Sequence, residues 1–299
     1  MVRSIFFTGQ GSQFVSMGIE LYKKNEIFKK IVDEAEKILE MPLKKLMFEG
    51  PEEELTLTKN AQPAILTVGV GKFEVYKEKN GLEGIEYALG HSLGEFGALY
   101  ASEVLGFESV FKLVKIRGLL MNQAGEKTKG TMAVAIGMGK EEALEIIDEI
   151  KDENLVIANY NTQEQYIVSG PVLSIEKFME LSKKRGYKKV IKLNVSAAFH
   201  SPLMREAALE FEKYIDKEVF KKPNLKVIQN FTGKAHDDPD EIKENLKKQI
   251  LSPVLFIDSV LYLTNLGVKS GIEFGPKPIL KGLVARIDGS FSLEFFDGY

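Results

Sequence analysis

Apolar residues along this chain alternate between short unbroken runs and longer stretches with helical spacing, and that alternation sets the expected fold. Residues 4–7 and 85–89 are compact apolar runs that read as buried strands. Residues 19–39 place Tyr22, Ile27, Ile31, Ala35 and Ile38 on one side, which predicts a single amphipathic helix. A more apolar helix is expected over 64–76. Another covers 95–105, with Phe96, Leu99, Tyr100 and Val104 at helical spacing, and a long one over 107–124 carries Arg117. Strand and helix in turn is the pattern of an α/β domain with a mostly parallel sheet.

The middle of the chain has a different rhythm. Strand 131–136, helix 140–150, strands 155–158 and 166–169, helix 174–185 and strand 189–195 give β-α-β-β-α-β, the ferredoxin-like order. The polar, glycine-containing stretch 125–130 before it reads as a linker. A small domain over 127–196 is therefore expected to be inserted into a larger one made of 1–126 and 197–299. The larger pattern then resumes with helix 202–219, strand 225–229, helices 241–250 and 253–266, strand 271–274 and helix 278–287. Residues 236–240 read as a polar surface loop.

Composition narrows the class. With 299 residues and 44% hydrophobic content the chain can bury a substantial core. The apolar run at the N-terminus is too short for a signal peptide, and no stretch approaches the length of a membrane span. The absence of cysteine removes disulfides, thiolate catalysis and cysteine metal sites, and suits a cytoplasmic protein. A net charge of −3 argues against nucleic acid as a partner. Only five of the 40 basic residues are arginine, so an arginine here marks a place where the fork-shaped head is needed.

Chemistry concentrates at Gly90-His91-Ser92-Leu93-Gly94, a Gly-x-Ser-x-Gly between the strand at 85–89 and the helix at 95–105. In that setting the serine sits on a sharp turn with the free N–H groups of a helix start beside it, the arrangement of a nucleophile elbow. The bare motif also makes ordinary turns, so the partners decide. Of three histidines, His91 adjoins the serine and is expected to point to the other side of the elbow, and His236 is expected to be exposed in the acidic loop. His200, between a strand and a helix, is left as the base. No acidic residue presents itself as a third member, which leaves a Ser-His dyad oriented by a backbone carbonyl. Thr8-Gly9-Gln10-Gly11-Ser12-Gln13 after the first strand fits neither nucleotide-binding pattern, but would supply a second oxyanion N–H beside that of Leu93. A serine hydrolase or thioesterase, and a non-catalytic module on the same fold, remain open on these residues alone.

Six motifs in register, spread over essentially the whole chain, carry a resemblance. They are Gly9-Gln10-Gly11-Ser12-Gln13, Asn60-Ala61-Gln62-Pro63-Ala64, Gly90-His91-Ser92-Leu93-Gly94-Glu95, Arg117 in Lys115-Ile116-Arg117-Gly118, Ala198-Phe199-His200-Ser201-Pro202 and Glu273-Phe274-Gly275-Pro276. Their order resembles the malonyl-CoA:acyl carrier protein transacylases. The resemblance implies an α/β-hydrolase-like domain with a ferredoxin-like insertion, and transfer of malonyl from malonyl-CoA to the phosphopantetheine thiol of an acyl carrier protein. The implied pathway is fatty-acid or polyketide synthesis, with no permanent cofactor or metal and a monomer or weak dimer. It makes Ser92 the nucleophile, His200 the general base, the Gln249 carbonyl the group that orients it, Gln10 and Leu93 the oxyanion donors, and His91 a support of the elbow. Arg117 becomes the clamp on the malonyl carboxylate, worth on the order of 2 to 4 kcal/mol against neutral acyl groups. Gln62, Asn159 and Asn161 would line the cleft, although the asparagines equally suit a turn. Phe199 matches the malonyl-selective members.

Overall fold

Eleven short strands and the helices between them describe residues 2–298 in the computed structural model of the chain. The strands are β1 (Arg3–Phe7), β2 (Ile85–Gly90), β3 (Gly130–Ile136), β4 (Val156–Thr162), β5 (Gln165–Pro171), β6 (Val190–Lys192), β7 (Lys226–Ile228), β8 (Ala235–His236), β9 (Val254–Leu255), β10 (Ser270–Phe274) and β11 (Ser292–Phe295). They form a mixed α/β structure with two sheets. The larger has the order β11-β10-β1-β2-β7-β8 and is parallel except for the β7/β8 pair. Ile5, Phe6 and Phe7 in succession are buried, as are Tyr87, Ala88 and Leu89, because helices cover both faces of a parallel sheet.

The helix Thr58–Asn80 is buried on nearly every side, packed between Glu26–Leu39, Phe107–Thr128 and the sheet. Burial of residues 60–73 explains why that stretch is apolar rather than amphipathic. The single helix expected over 19–39 is instead two, Ile19–Lys24 and Glu26–Leu39. Asn25 breaks it: its backbone is extended and its side chain accepts the Phe28 N–H at 3.0 Å, so the asparagine caps a new helix rather than continuing the old one. The stretch expected as a linker at 125–130 is also mostly helical. Phe107–Thr128 runs through it, and Gly125 is the point of close approach to Ser196 and Ala197 rather than a flexible joint. Further along, 202–219 opens as a 3₁₀ turn, Pro202–Met204, before the helix Arg205–Ile215. Residues 254–255 pair as β9 before the helix Phe256–Asn265 begins.

The smaller sheet has the order β6-β3-β5-β4-β9, antiparallel among its first four members. Helices Lys140–Ile150 and Val172–Lys184 bury Ile146, Ile175 and Phe178 against Ala133 and Ile157 of that sheet. β9 joins it in parallel with β4, pairing Asn159 with Val254, so the C-terminal third of the chain completes this sheet as well.

The C-terminal ends of β1, β2 and β7 lead respectively into Thr8–Gly11, His91–Leu93 and Gln229–Asn230, in the crevice where open α/β sheets place their sites. These turns touch. A Cβ on Gly94 would lie 2.0 Å from the Phe7 carbonyl oxygen, and one on Gly9 would lie 2.4 Å from that of His91. Backbone meets backbone at both points, and only glycine fits. Gly94→Ala is therefore expected to destabilise the protein by about 3 kcal/mol or more. Gly282→Ala, in open space on the helix Leu280–Ile287, should instead stabilise it by up to ~1 kcal/mol. Urea unfolding of both variants against the parent chain checks the pair of signs.

Candidate active site

Ser92 leaves β2 with a φ of 51°, a left-handed conformation that a non-glycine residue adopts only when its surroundings impose it. Asn230 supplies much of that constraint. Its Oδ1 accepts the Ser92 N–H at 2.6 Å and its Nδ2 donates to the Gly90 carbonyl at 2.6 Å, spanning the turn from one side to the other. The amides of Gly94 and Glu95 are taken by the carbonyls of His91 and Ser92. Among the described residues, no protein acceptor takes the N–H of Leu93 or that of Gln10 across the crevice, so both are available to an oxyanion.

The Ser92 hydroxyl lies 2.8 Å from His200 Nε2. On the other side of the ring, Nδ1 faces two backbone carbonyls, Gln249 and Ser252, each at 3.0 Å. Carbonyls only accept, so Nδ1 carries the hydrogen and Nε2 presents a lone pair to the serine. Among the described residues no carboxylate is hydrogen-bonded to the ring. Burial first, and the Arg117 charge second, hold His200 down to about 3, and the imidazole is neutral at ordinary pH.

Arg117, on the helix Phe107–Thr128, has no exposed surface. One guanidinium nitrogen donates to Gln62 Oε1 at 2.8 Å; the other donates to Gln249 Oε1 at 3.0 Å and to the Ser92 hydroxyl at 3.1 Å. The group stacks over Phe96 with 5.6 Å to the ring centroid. Burial lowers it to about 10, partly offset by Glu95, so it stays cationic at neutral pH. Its Nε is buried and has no hydrogen-bond partner among the described residues.

A cavity of about 420 Å³ gathers Ser92, His200, Arg117, Gln10, Leu93, Gln62, Phe199, Asn159 and Asn161. Gln249 alone of the expected residues lies outside its lining. It sits behind the cavity, buried, and reaches His200 through its carbonyl. Asn159 and Asn161 are not in a turn. β4 runs on to Thr162, and strand alternation puts both side chains on the cavity face. His91 does not point away from the elbow either. Its ring lines the same cavity, with Nε2 2.9 Å from Asn161 Oδ1. His236, expected to be exposed, is largely buried on β8 against Thr232 and Glu241, remote from the cavity.

Three contributors escape the sequence reading. The Ser252 carbonyl has no side-chain signature. Asn230 follows the strand Lys226–Ile228 by two residues, and its place in that crevice was the only available clue. Glu95, one residue past the motif, is buried rather than solvated. Among the described residues no group of three or more acidic, histidine or cysteine side chains could hold a metal ion. No helix among them is long and apolar enough to cross a membrane.

A serine-histidine pair lining a cavity with two free backbone donors is the equipment of acyl transfer through a serine ester, and the chain belongs to the acyl transferase domain family, whose sequence pattern matches residues 5–288. Within that family it is similar to the malonyl CoA-acyl carrier protein transacylases. It is 41% identical to that of Bacillus subtilis (strain 168) over 289 residues, 95% of this chain and 90% of the relative. The structure of the malonyl CoA-acyl carrier protein transacylase from Coxiella burnetii superposes with a TM-score of 0.96 at 31% identity, covering 99% of this chain and 94% of that one. A malonyl-transacylase solved in complex with a type II PKS acyl-carrier protein matches with a TM-score of 0.95, also at 31% identity, over 99% of this chain and 96% of that one.

The depressed His200 has a definite pH consequence. Its folded value of about 3 lies below the ordinary 6.5, so the folded state binds fewer protons than the unfolded one. Its contribution to stability is complete above 6.5 and is lost as pH falls toward 3. The imidazole of His200 stays neutral over the upper part of that range. The second-order rate of Ser92 acylation, followed by quenched-flow mass measurement, is expected to change less than about twofold between roughly pH 5.5 and 7.5. An acidic limb centred near 6.5 would contradict the buried neutral imidazole.

Proposed function

We propose that the chain moves a malonyl group from malonyl-CoA to the phosphopantetheine thiol of an acyl carrier protein, through a malonyl ester on Ser92. The observation that carries this reading is the buried cation of Arg117, 3.1 Å from the nucleophile in the same cavity. A permanently charged fork at that depth suits an acyl group with a free carboxylate. As Ser92 Oγ attacks the thioester carbonyl, its proton passes to His200 Nε2, and the oxyanion is met by the Gln10 and Leu93 N–H groups. Collapse breaks the C–S bond, and the imidazolium returns the proton to the departing CoA thiolate. The carrier thiol then gives its proton to His200 and attacks the ester, and the serine takes the proton back. Gln249, through its carbonyl, keeps the imidazole in the tautomer both halves require. Gln62 holds the guanidinium in place, while Phe199, Asn159 and Asn161 wall the space that the acyl group and the pantetheine arm would share.

The same reading takes 1–126 and 197–299 as an α/β-hydrolase-like domain and 127–196 as a ferredoxin-like insertion, supported by the β6-β3-β5-β4 order. It places the reaction in fatty-acid or polyketide synthesis in the cytoplasm, carried out by a monomer or weak dimer that needs no bound cofactor, metal or nucleic acid.

Intact-mass measurement after mixing with malonyl-CoA tests the proposal. One malonyl adduct is expected on the wild type and none on Ser92→Ala, and the adduct should be discharged by a phosphopantetheinylated carrier much faster than by water. Release of free malonate as fast without carrier would make the chain a hydrolase instead. Arg117→Ala should lower the malonyl-to-acetyl rate ratio by about 30-fold or more; an unchanged ratio removes the clamp.

A further inference from the structure

Ser92, His200 and Arg117 come from separate stretches of the chain, and one buried carboxylate touches the supports of all three. Glu95 Oε2 accepts the Asn230 backbone N–H at 3.0 Å and the Gln249 side-chain amide at 2.8 Å, and its Oε1 accepts from Gln229 Nε2 at 3.2 Å. From Asn230 the network reaches both sides of the serine turn. From Gln249 it divides: the side-chain oxygen accepts from Arg117, the side-chain nitrogen also donates to the Ser92 carbonyl at 3.0 Å, and the backbone carbonyl holds His200 Nδ1.

We propose that Glu95 is the positioning residue of this site: a buried carboxylate, touching no reacting atom, that fixes nucleophile, base and cation relative to one another through Asn230 and Gln249. All three of its partners are N–H donors, so the position requires a group that only accepts. A glutamine there would turn its own N–H toward one of them. Gln229 cannot reverse its amide to accommodate this, because its Oε1 accepts from Asn245 at 3.0 Å while its Nε2 also donates to the Ile242 carbonyl at 2.9 Å. Glu95 and Arg117 are the two charged groups buried around this turn, and Gln249 is the one side chain bonded to both. The cation arm of the proposal rests on the malonyl reading above; the serine arm does not.

The test uses the full chain with two readouts. One is the rate at which phenylmethanesulfonyl fluoride, a neutral electrophile, labels Ser92; the other is the ratio of malonyl-CoA to acetyl-CoA acylation rates. Glu95→Gln is expected to slow labelling by about 10- to 100-fold and to lower the ratio by about tenfold. Asn230→Ala should slow labelling while leaving the ratio within about twofold. Gln249→Ala keeps the backbone carbonyl on His200 but removes the bonds to Arg117 and to the Ser92 carbonyl, so it should lower the ratio by about tenfold and slow labelling by less than Asn230→Ala does. Asn245→Ala, on the far side of Gln229, removes a buried bond of the same network and should leave both readouts within about twofold, whatever it does to the unfolding temperature.

A folded Glu95→Gln with both readouts unchanged overturns the proposal. So does an Asn245→Ala that loses both, since the network would then matter only for stability. If Glu95→Gln does not fold, the separate patterns of Asn230→Ala and Gln249→Ala decide, and identical patterns in the two count against it. Failure of the malonyl reading would show differently, as a wild type that is sulfonylated at Ser92 but never malonylated.

Discussion

A guanidinium with no access to solvent governs the arrangement around it. Moving such a charge out of water costs several kcal/mol unless the interior supplies oxygens, a ring face or a countercharge. Here the oxygens are Gln62 and Gln249, the ring is Phe96, and the countercharge is Glu95, whose presence holds Arg117 higher than burial alone would. These partners belong to the helix Thr58–Asn80, to the turn after Pro239–Lys248 and to the helix Gly94–Ala101. Satisfying one cation therefore fixes the relative placement of three elements. The satisfaction is incomplete in one respect: the Nε hydrogen has no protein acceptor.

Backbone closeness supplies the second constraint. The parallel pairing of β1 with β2 puts Phe7 opposite Gly90, so the turns that leave the two strands lie side by side. The Phe7 carbonyl accepts the His91 N–H, and glycine at 9 and 94 lets the chains touch. The turns that carry the N–H groups of Gln10 and Leu93 are thereby held against one another. Their closeness is a property of the sheet register rather than of any side chain. The strained φ of Ser92 is carried by the same framework, with Asn230 closing it from the third side.

Features with a local cause were legible in the sequence. The helix Lys140–Ile150 matches its expected bounds because an amphipathic face, an acidic first turn and a turn on each side all mark the same ends. Ser92 could be located because its motif is contiguous, His200 because the chain has only three histidines, and Arg117 because arginine is rare among its cations. Elements set by distant partners were not legible. The helices Leu43–Phe48 and Glu52–Thr56 and the two-residue strand β8 are too short to show a period, and β9 owes its extended form to pairing with β4, far away in sequence. The carbonyl of Ser252 carries no residue signature at all. Glu95 resembles any acidic residue in a first helical turn, where solvation is the usual state. The orientation of His91 has a related cause: Asn161, on the other sheet, bonds its Nε2.

The absence of a third acidic member beside His200 follows from the charge the cavity already holds. A carboxylate on Nδ1 would stabilise the imidazolium, but it would also add a negative charge near Arg117 and oppose an incoming anionic substrate. Two carbonyls orient the ring and add no net charge. The drawback is a weak base, because burial and Arg117 both disfavour its protonated form. On the malonyl reading the substrate itself relieves the second of these. Its carboxylate, docked on the guanidinium, offsets the charge that opposes the imidazolium, and the serine proton is transferred more readily while that carboxylate is in place. An acyl group without a carboxylate would leave the cation uncompensated beside the base. Discrimination would then arise in the proton transfer as well as in binding, and a single buried arginine would serve both.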